Sequence, residues 1–505
     1  MNMNSLPNMP FFPVGHPPKT MNHWIPTVTL EEMSNKEYDV IIVGSGAGGG
    51  AVLWRLCEKW ADEGMRIGMI EAGDLLAPTH VRNLPTIPAD RFPEYLYNPN
   101  YTSYSSKYSS NLPEAIEVNA LGGRTLFWTQ ISPRMDSVEM ATWPVSLKEM
   151  NDYYSIAEKA MNVSQSFFKG SPITETMIGR LHEAGFTDST YIPMAADLQA
   201  TYQGEIHSNV FFSSISFLAR AMKRSFDLAV RAKAVEVYAE GGSVQGLRVM
   251  TPEKKSYTIK AKNVVLSAST FETPRILLNS GIKGDAIGHY LANHSGVRAS
   301  TTVPRKKFPE PLGALGVFIP QGEHCPYMLA MLDPLTWHTQ EQERPFQEEV
   351  RINIGGYGKV ESRFENQISL DPARKDEFGV PMLNIDFSYS DNDQMVIQQM
   401  IDSCREILRK VAGDNDPSVY LMPIGSDYHE TGTCRMGEDP ATSATNCYGQ
   451  IHGVEGLFVA DNSVLPTVGR ANPTLTTVAF AIRTADYIFE TQKNNTKKGT
   501  MIAKK

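Results

Sequence analysis

The residues whose types and spacing point most directly to chemistry lie near the start of the chain. Gly44-Ser45-Gly46-Ala47-Gly48-Gly49 gives a G-x-G-x-x-G run at Gly44, Gly46 and Gly49. In a loop that receives phosphate, the first glycine permits a tight turn and the second lets the backbone approach a pyrophosphate. The third lets a helix pack closely on a strand. An acid, Glu71, follows 22 residues after Gly49, where a carboxylate binds a ribose 2′-hydroxyl and repels a 2′-phosphate. The expected chemistry is binding of a dinucleotide other than NADP, and the loop alone does not separate NAD from FAD. A second grouping, His429, Cys434, Cys447 and His452, falls within 24 residues at spacings of five, thirteen and five. Those spacings depart from the paired-ligand pattern of zinc sites, so no metal is expected.

Elements able to position these residues are legible around them. Tyr38–Val43 is a short run of β-branched residues suited to a buried parallel strand. The loop then opens a helix through Leu56, whose amides and dipole face bound phosphate. Arg66–Glu71 reads as the second strand. Further on, 228–237 and 263–269 read as strands by alternation and β-branched density, and Gly456–Ala460 as a strand delivering Asp461. Asn472 is placed to cap a helix with Pro473 at its first position. Leu475, Val478, Ala479 and Ile482 recur on one face of it. Asp393–Gly413 is the clearest helix elsewhere. The organisation expected is an arm (1–37), three stretches of nucleotide-binding fold (38–145, 215–300, 425–490), two intervening stretches forming one binding domain (146–214, 301–424) and a basic, solvated tail (491–505).

Several blocks in order resemble the glucose-methanol-choline (GMC) family of FAD oxidoreductases. They are Glu71-Ala72-Gly73-Asp74, Leu121–Trp128 with Ser132-Pro133-Arg134, Ser267–Ile282, Gly456–Asp461 and Asn472–Thr476. Within that family the likeness is nearest to pyranose oxidases and their bacterial glycoside-oxidising relatives. The resemblance implies an α/β fold with an α+β substrate part. A Rossmann-like FAD-binding domain would be joined by a discontinuous substrate-binding domain on a mainly antiparallel sheet. It implies FAD held by Gly44, Gly46, Gly49, Glu71, Gly122, Gly123, Thr125, Trp128, Val235, Ala268, Asp461, Pro473 and Thr474. Many pyranose oxidases attach the flavin to a histidine where this chain has Phe127. A phenyl ring forms no such bond, so noncovalent FAD is expected.

Tyr428–Gly437 resembles the family block H-x-x-G-T-x-x-M-G, which makes His429 the expected base and Asn472 its hydrogen-bonding partner. The implied reaction oxidises a hydroxyl of a sugar, glycoside or aminoglycoside-type polyol to a carbonyl. His429 takes the hydroxyl proton and hydride passes to flavin N5, with oxygen or a quinone-type acceptor downstream. A hydroxynitrile-lyase-type reaction and a dehydrogenase of a non-sugar alcohol are the alternatives on the same scaffold.

Composition bounds the rest. At 505 residues the chain is long enough for two large cores. Its net charge of -9 disfavours a nucleic-acid partner. Five cysteines without a C-x-x-C disfavour a disulfide framework and a thiol redox pair. No secretory signal is read in the first 37 residues and no membrane-spanning run in the chain, so a cytoplasmic location is expected.

Overall fold

The computed structural model describes residues 25–60, 64–84, 86–87, 91–197, 210–308, 312–320, 325–332, 348–413 and 416–502. Its centre is a five-stranded sheet in the order Asp227–Ala229, Ile67–Ile70, Val40–Val43, Val264–Leu266, Leu457–Val459. Every pairing is parallel. Val40, Ile41, Ile42, Ile67, Val264, Val265 and Leu457 are almost wholly buried, as a sheet covered on both faces demands. The helices Ala47–Lys59 and Thr474–Ile502 share that core, burying Val52, Leu53 and Leu56 on one and Leu475, Val478, Ala479 and Ile482 on the other. Each of the Val, Leu and Ile side chains contributes about 1.5–3 kcal/mol when fully buried. The carboxyl ends of these strands lead into Gly44, Glu71, Ser267 and Ala460-Asp461. That edge of an open parallel sheet is where ligands bind.

A second layer is a six-stranded sheet, with neighbours in the order Ser418–Leu421, Ser295–Pro304, Glu349–Gly358, Tyr327–Leu332, Gly316–Ile319, Thr190–Tyr191. It is antiparallel throughout. The helix Asp391–Ala412 covers one face. Its start is fixed by a capping box in which Ser390 and Asp393 bond each other's backbone N–H. Its stripe of Val396, Met400, Cys404, Ile407 and Val411 lies in one core with Val297, Leu329 and Ile352. The chain therefore has the α/β architecture expected, with a parallel dinucleotide part and an antiparallel substrate part.

Four boundaries differ from the sequence reading. The stretch 228–237 is two strands, Asp227–Ala229 and Lys233–Glu240, in different sheets. Between them Arg231 turns to φ 54°, and the amides of Arg231 and Ala232 donate to Gly73 and Glu71. The helix Leu147–Met161, expected in the substrate part, buries Met150, Tyr154, Ala157 and Met161 in the dinucleotide core instead. The strand Ser295–Pro304 crosses the boundary expected at 300. The expected tail continues the last helix to Ile502. Within the arm, residues 1–24 lie outside the described residues, while Leu30–Ser34 is a capped helix burying Leu30 and Met33. No helix among the described residues is long and apolar enough to cross a membrane.

Candidate active site

One cavity of about 330 Å³ is lined both by the carboxyl edge of the parallel sheet and by the segment containing His429. At the sheet edge, Gly44 takes φ 91° directly after the strand, a left-handed turn that glycine makes at no steric cost. A Cβ on Gly46 would meet no protein atom within 4 Å, so this backbone is bare toward the cavity. A Cβ on Gly48 or Gly49 would strike the carbonyl of Ala460 or Gly44. The motif thus divides into one glycine that admits a ligand and others that admit the protein to itself.

Ser45 is the hub of this end. Its Oγ donates to Glu71 at 2.6 Å and accepts from the Gly122 amide at 2.9 Å. Its own amide also reaches Glu71, at 3.0 Å. Burial pushes the Glu71 carboxyl upward, and the donors from Ser45 and Gly73 oppose that shift. Asp461 is held likewise. Burial raises it, while Ser463, Thr273 (2.6 Å) and the Ser269 amide (3.1 Å) donate to it. Ser269 itself sits at φ 97°, an unfavourable conformation for a residue with a Cβ that is typical of over-determined functional sites.

The other end is assembled from four segments. The loop 428–434 is stitched down by Thr270 Oγ1 donating to the Glu430 carbonyl (2.9 Å) and by Ala292 and Thr431 exchanging backbone bonds. Asn293 Oδ1 accepts from the His429 amide at 3.2 Å. Arg124, from the Gly122-Gly123 segment, joins it by an ion pair of 2.6 Å to the fully buried Glu430. Burial alone would lower the Arg124 guanidinium, and the charge and hydrogen bond of Glu430, with Glu117 and Tyr428, together raise it instead. Tyr428 is forced to φ 61° beside the histidine.

There His429 Nε2 lies 3.2 Å from Asn472 Nδ2, and His429 Nδ1 lies 2.8 Å from His294 Nδ1. Burial holds His429 well below the ordinary imidazole value, helped by repulsion from His294, Arg124 and Arg298. At neutral pH its ring is therefore uncharged, as a proton acceptor must be. Beside it Asp427 is pushed up to about 7 by burial and by the charge of Glu430. Both Asp427 carboxyl oxygens, and Asn472 Oδ1, are buried without a hydrogen-bond partner.

Of the residues named from sequence, Gly44, Gly46, Glu71, Gly123, Thr125, Trp128, Ala268, His429, Asp461, Asn472 and Thr474 line this cavity. Gly49 and Gly122 stand behind it, shaping the turn and accepting close packing. Val235 turns its side chain into a small cluster with Met250 and Val380, while Ala232, Lys233 and Ala234 face the cavity. Pro473 is not on the wall; its carbonyl accepts from Thr477 as the last helix begins. Asn472 does not cap that helix. Its amide nitrogen lies 3.2 Å from His429 Nε2, and its oxygen, the atom that would accept a capping bond, has no partner. Cys434 is buried in the dinucleotide core and forms no disulfide. Among the described residues, one group of potential metal ligands gathers, and it is His294, Asp427 and His429 rather than the cysteine-containing set. His294, Asp427, Arg124 and Glu430 escaped the sequence reading, since none stands in a spacing that distinguishes it from an ordinary polar residue.

The arrangement joins a glycine loop of dinucleotide-binding type to a buried, uncharged histidine across one cavity, and the family follows from comparison. The profiles of the two GMC oxidoreductase domains match residues 113–296 and 362–481. The chain belongs to the GMC oxidoreductase family and acts on CH–OH groups. It is 27% identical over 401 residues to a C-glycoside 3-oxidase of Arthrobacter globiformis, covering 75% of each chain. It is 25% identical to a 2-methyl-1,2-propanediol dehydrogenase of Mycolicibacterium austroafricanum, covering 90% of this chain and 96% of that one. Pyridoxine 4-oxidase from Mesorbium loti superposes with a TM-score of 0.65 at 16% identity, over 89% of this chain and 99% of that one, and shares the fold. The family implies FAD. The residues fit it: a bare Gly46 backbone, an acid at Glu71 and an unpaired buried amide oxygen on Asn472 all border the one cavity.

Proposed function

We propose that this protein oxidises a hydroxyl group of a sugar, glycoside or aminoglycoside-type polyol to a carbonyl, using noncovalently bound FAD and His429 as base. The observation that carries the reading is the 3.2 Å contact between His429 Nε2 and Asn472 Nδ2 on the wall of the cavity that also touches the Gly44–Gly48 loop. When bound there, FAD supplies the acceptor for the hydride lost from the alcohol carbon. An alcohol entering between the two side chains donates its O–H to His429 Nε2, and its oxygen accepts the Asn472 N–H. The uncharged His429 ring takes that proton at neutral pH. The C-glycoside relative supports a glycoside substrate. Phe127, packed against Tyr101 and Phe92, offers no atom for a bond to flavin.

A second reading, oxidation of a small non-sugar diol, is favoured by the propanediol dehydrogenase that matches along 96% of its length. Anaerobic stopped-flow reduction across sugars, glycosides, aminoglycosides and short diols separates the two, and admission of oxygen afterwards distinguishes oxidase from dehydrogenase. Substrate-dependent bleaching of the flavin excludes a lyase. His429→Ala is expected to keep its FAD and to slow reduction by roughly 10²–10⁴-fold. Unchanged reduction removes His429 from the role. Acid precipitation is expected to leave the FAD in the supernatant.

A further inference from the structure

We propose that His294 is a positioning residue for alcohol oxidation: it fixes His429 in the Nδ1–H tautomer and so leaves the Nε2 lone pair facing the cavity. The proposal rests on His429 being the base. Its argument starts at Gly469, whose carbonyl oxygen lies 3.2 Å from His294 Nε2. A carbonyl only accepts, so that nitrogen carries the proton. In a neutral imidazole the other nitrogen is then a bare acceptor, and His294 Nδ1 is the atom 2.8 Å from His429 Nδ1. His429 must donate across that gap. Its single ring proton is thereby placed on Nδ1, and Nε2 is left free to accept.

The orientation of Asn472 agrees independently, because it turns its amide N–H, not its oxygen, toward Nε2. His294 is 1% exposed and burial holds it down at about 4, so it is the neutral ring that the argument needs. The ring planes stand at 87° to one another, with Tyr357 packed against both. The charged and titratable groups facing the pair are Asp427, Arg124 and Arg298. Asp427 offers no hydrogen bond to compete for the Nδ1 proton. A histidine whose second nitrogen is held by a defined acceptor is the general device by which catalytic imidazoles are kept in one tautomer. Without it His429 would choose between its two forms, and one of them presents N–H to the substrate.

The test reads tautomers directly. In holoprotein labelled with [¹⁵N]histidine, the His429 signals are assigned by their loss in His429→Ala. The expected pattern is protonated-type Nδ1 and unprotonated-type Nε2 for His429, with the reverse for His294. The opposite pattern for His429 overturns the proposal. Kinetics give a second readout. His294→Leu is expected to retain the FAD spectrum and the apparent substrate affinity while flavin reduction slows roughly 10²-fold. His294→Asn, which places an acceptor oxygen where Nδ1 was, should recover most of that rate. Reduction at the wild-type rate in the Leu variant, or no recovery in the Asn variant, overturns it. Should the Leu variant lose FAD, the wild-type spectrum alone decides. Failure of the base assignment is separable, since it appears as unchanged reduction in His429→Ala.

Discussion

The two ends of the cavity are built on opposite principles. The dinucleotide end is mostly backbone: a strand, a glycine turn and a helix contiguous from Val40 to Lys59, with Ser45 and Glu71 bonded to each other and Asp461 satisfied by Thr273, Ser463 and the Ser269 amide. The histidine end draws on segments around residues 124, 294, 429 and 472 and leaves buried oxygens of Asp427 and Asn472 unpaired. A buried polar atom without a partner costs about 1–3 kcal/mol. One end is therefore complete in itself, and the other keeps donors and acceptors unspent for a substrate. Binding a common cofactor is a problem of close approach, whereas accepting a proton is a problem of side-chain orientation.

Substitutions can break that comparison, and the largest effect belongs to the glycine end. Gly48→Ala drives a Cβ into the Ala460 carbonyl. We expect a loss of more than about 4 kcal/mol, at the severe end for one substitution, seen as failure to fold or a collapsed melting temperature. A variant that melts like wild type would show that helix and strand separate easily there.

Next in size is acid sensitivity, where the buried histidine and the buried carboxyls carry opposite signs. His294 has its folded value depressed to about 4. The unfolded chain therefore binds more protons below the ordinary imidazole value, and stability falls as pH drops through this window. Glu71 and Asp461 are raised by burial, so the folded state protonates first and acid relieves them. Denaturant unfolding at pH 7 and pH 5 should show wild type losing about 2 kcal/mol relative to His294→Leu. An equal pH response in both proteins contradicts the buried neutral histidine.

Smaller again, Asn472→Ala should fold and hold FAD while reducing its flavin about 10–100-fold more slowly, as expected for one lost orienting hydrogen bond at the reacting oxygen. The smallest effect is at Gly46. Its Cβ meets no protein atom, so Gly46→Ala should leave the melting temperature of apoprotein within a few degrees and weaken FAD binding roughly tenfold, measured by fluorescence titration. Gly46 and Gly48 thus form a pair in which the same added methyl group separates ligand space from protein space.

Legibility in sequence followed the same division. Gly44, Gly46, Gly49 and Glu71 announce themselves because turn, helix and strand are local and periodic, and the order of blocks through Asn472–Thr476 carried the family. The helix expected at Asp393–Gly413 is present and begins two residues earlier, at Asp391. Where local pattern and tertiary packing disagreed, packing won. The run 228–237 broke at Arg231 to feed two sheets, and Leu147–Met161 left the substrate part for the dinucleotide core. Asn472 had the right type and place to cap a helix and turned to a histidine instead.

What the sequence by itself determined was the strand, glycine loop and helix of the dinucleotide unit, because their spacing is set along the chain; the α/β class and the expected pairing of His429 with Asn472 came from the resemblance of its motif blocks to a known family. Only the tertiary structure decided that Val235 faces a hydrophobic cluster, that Asp427 lies beside His429, and that His294 stands 2.8 Å from His429. Residues 135 positions apart leave no periodic trace of their meeting. Their contact is fixed by how the strand beginning at Ser295 and the loop at 428–434 are packed together, and it is that packing which chooses the nitrogen that carries the proton.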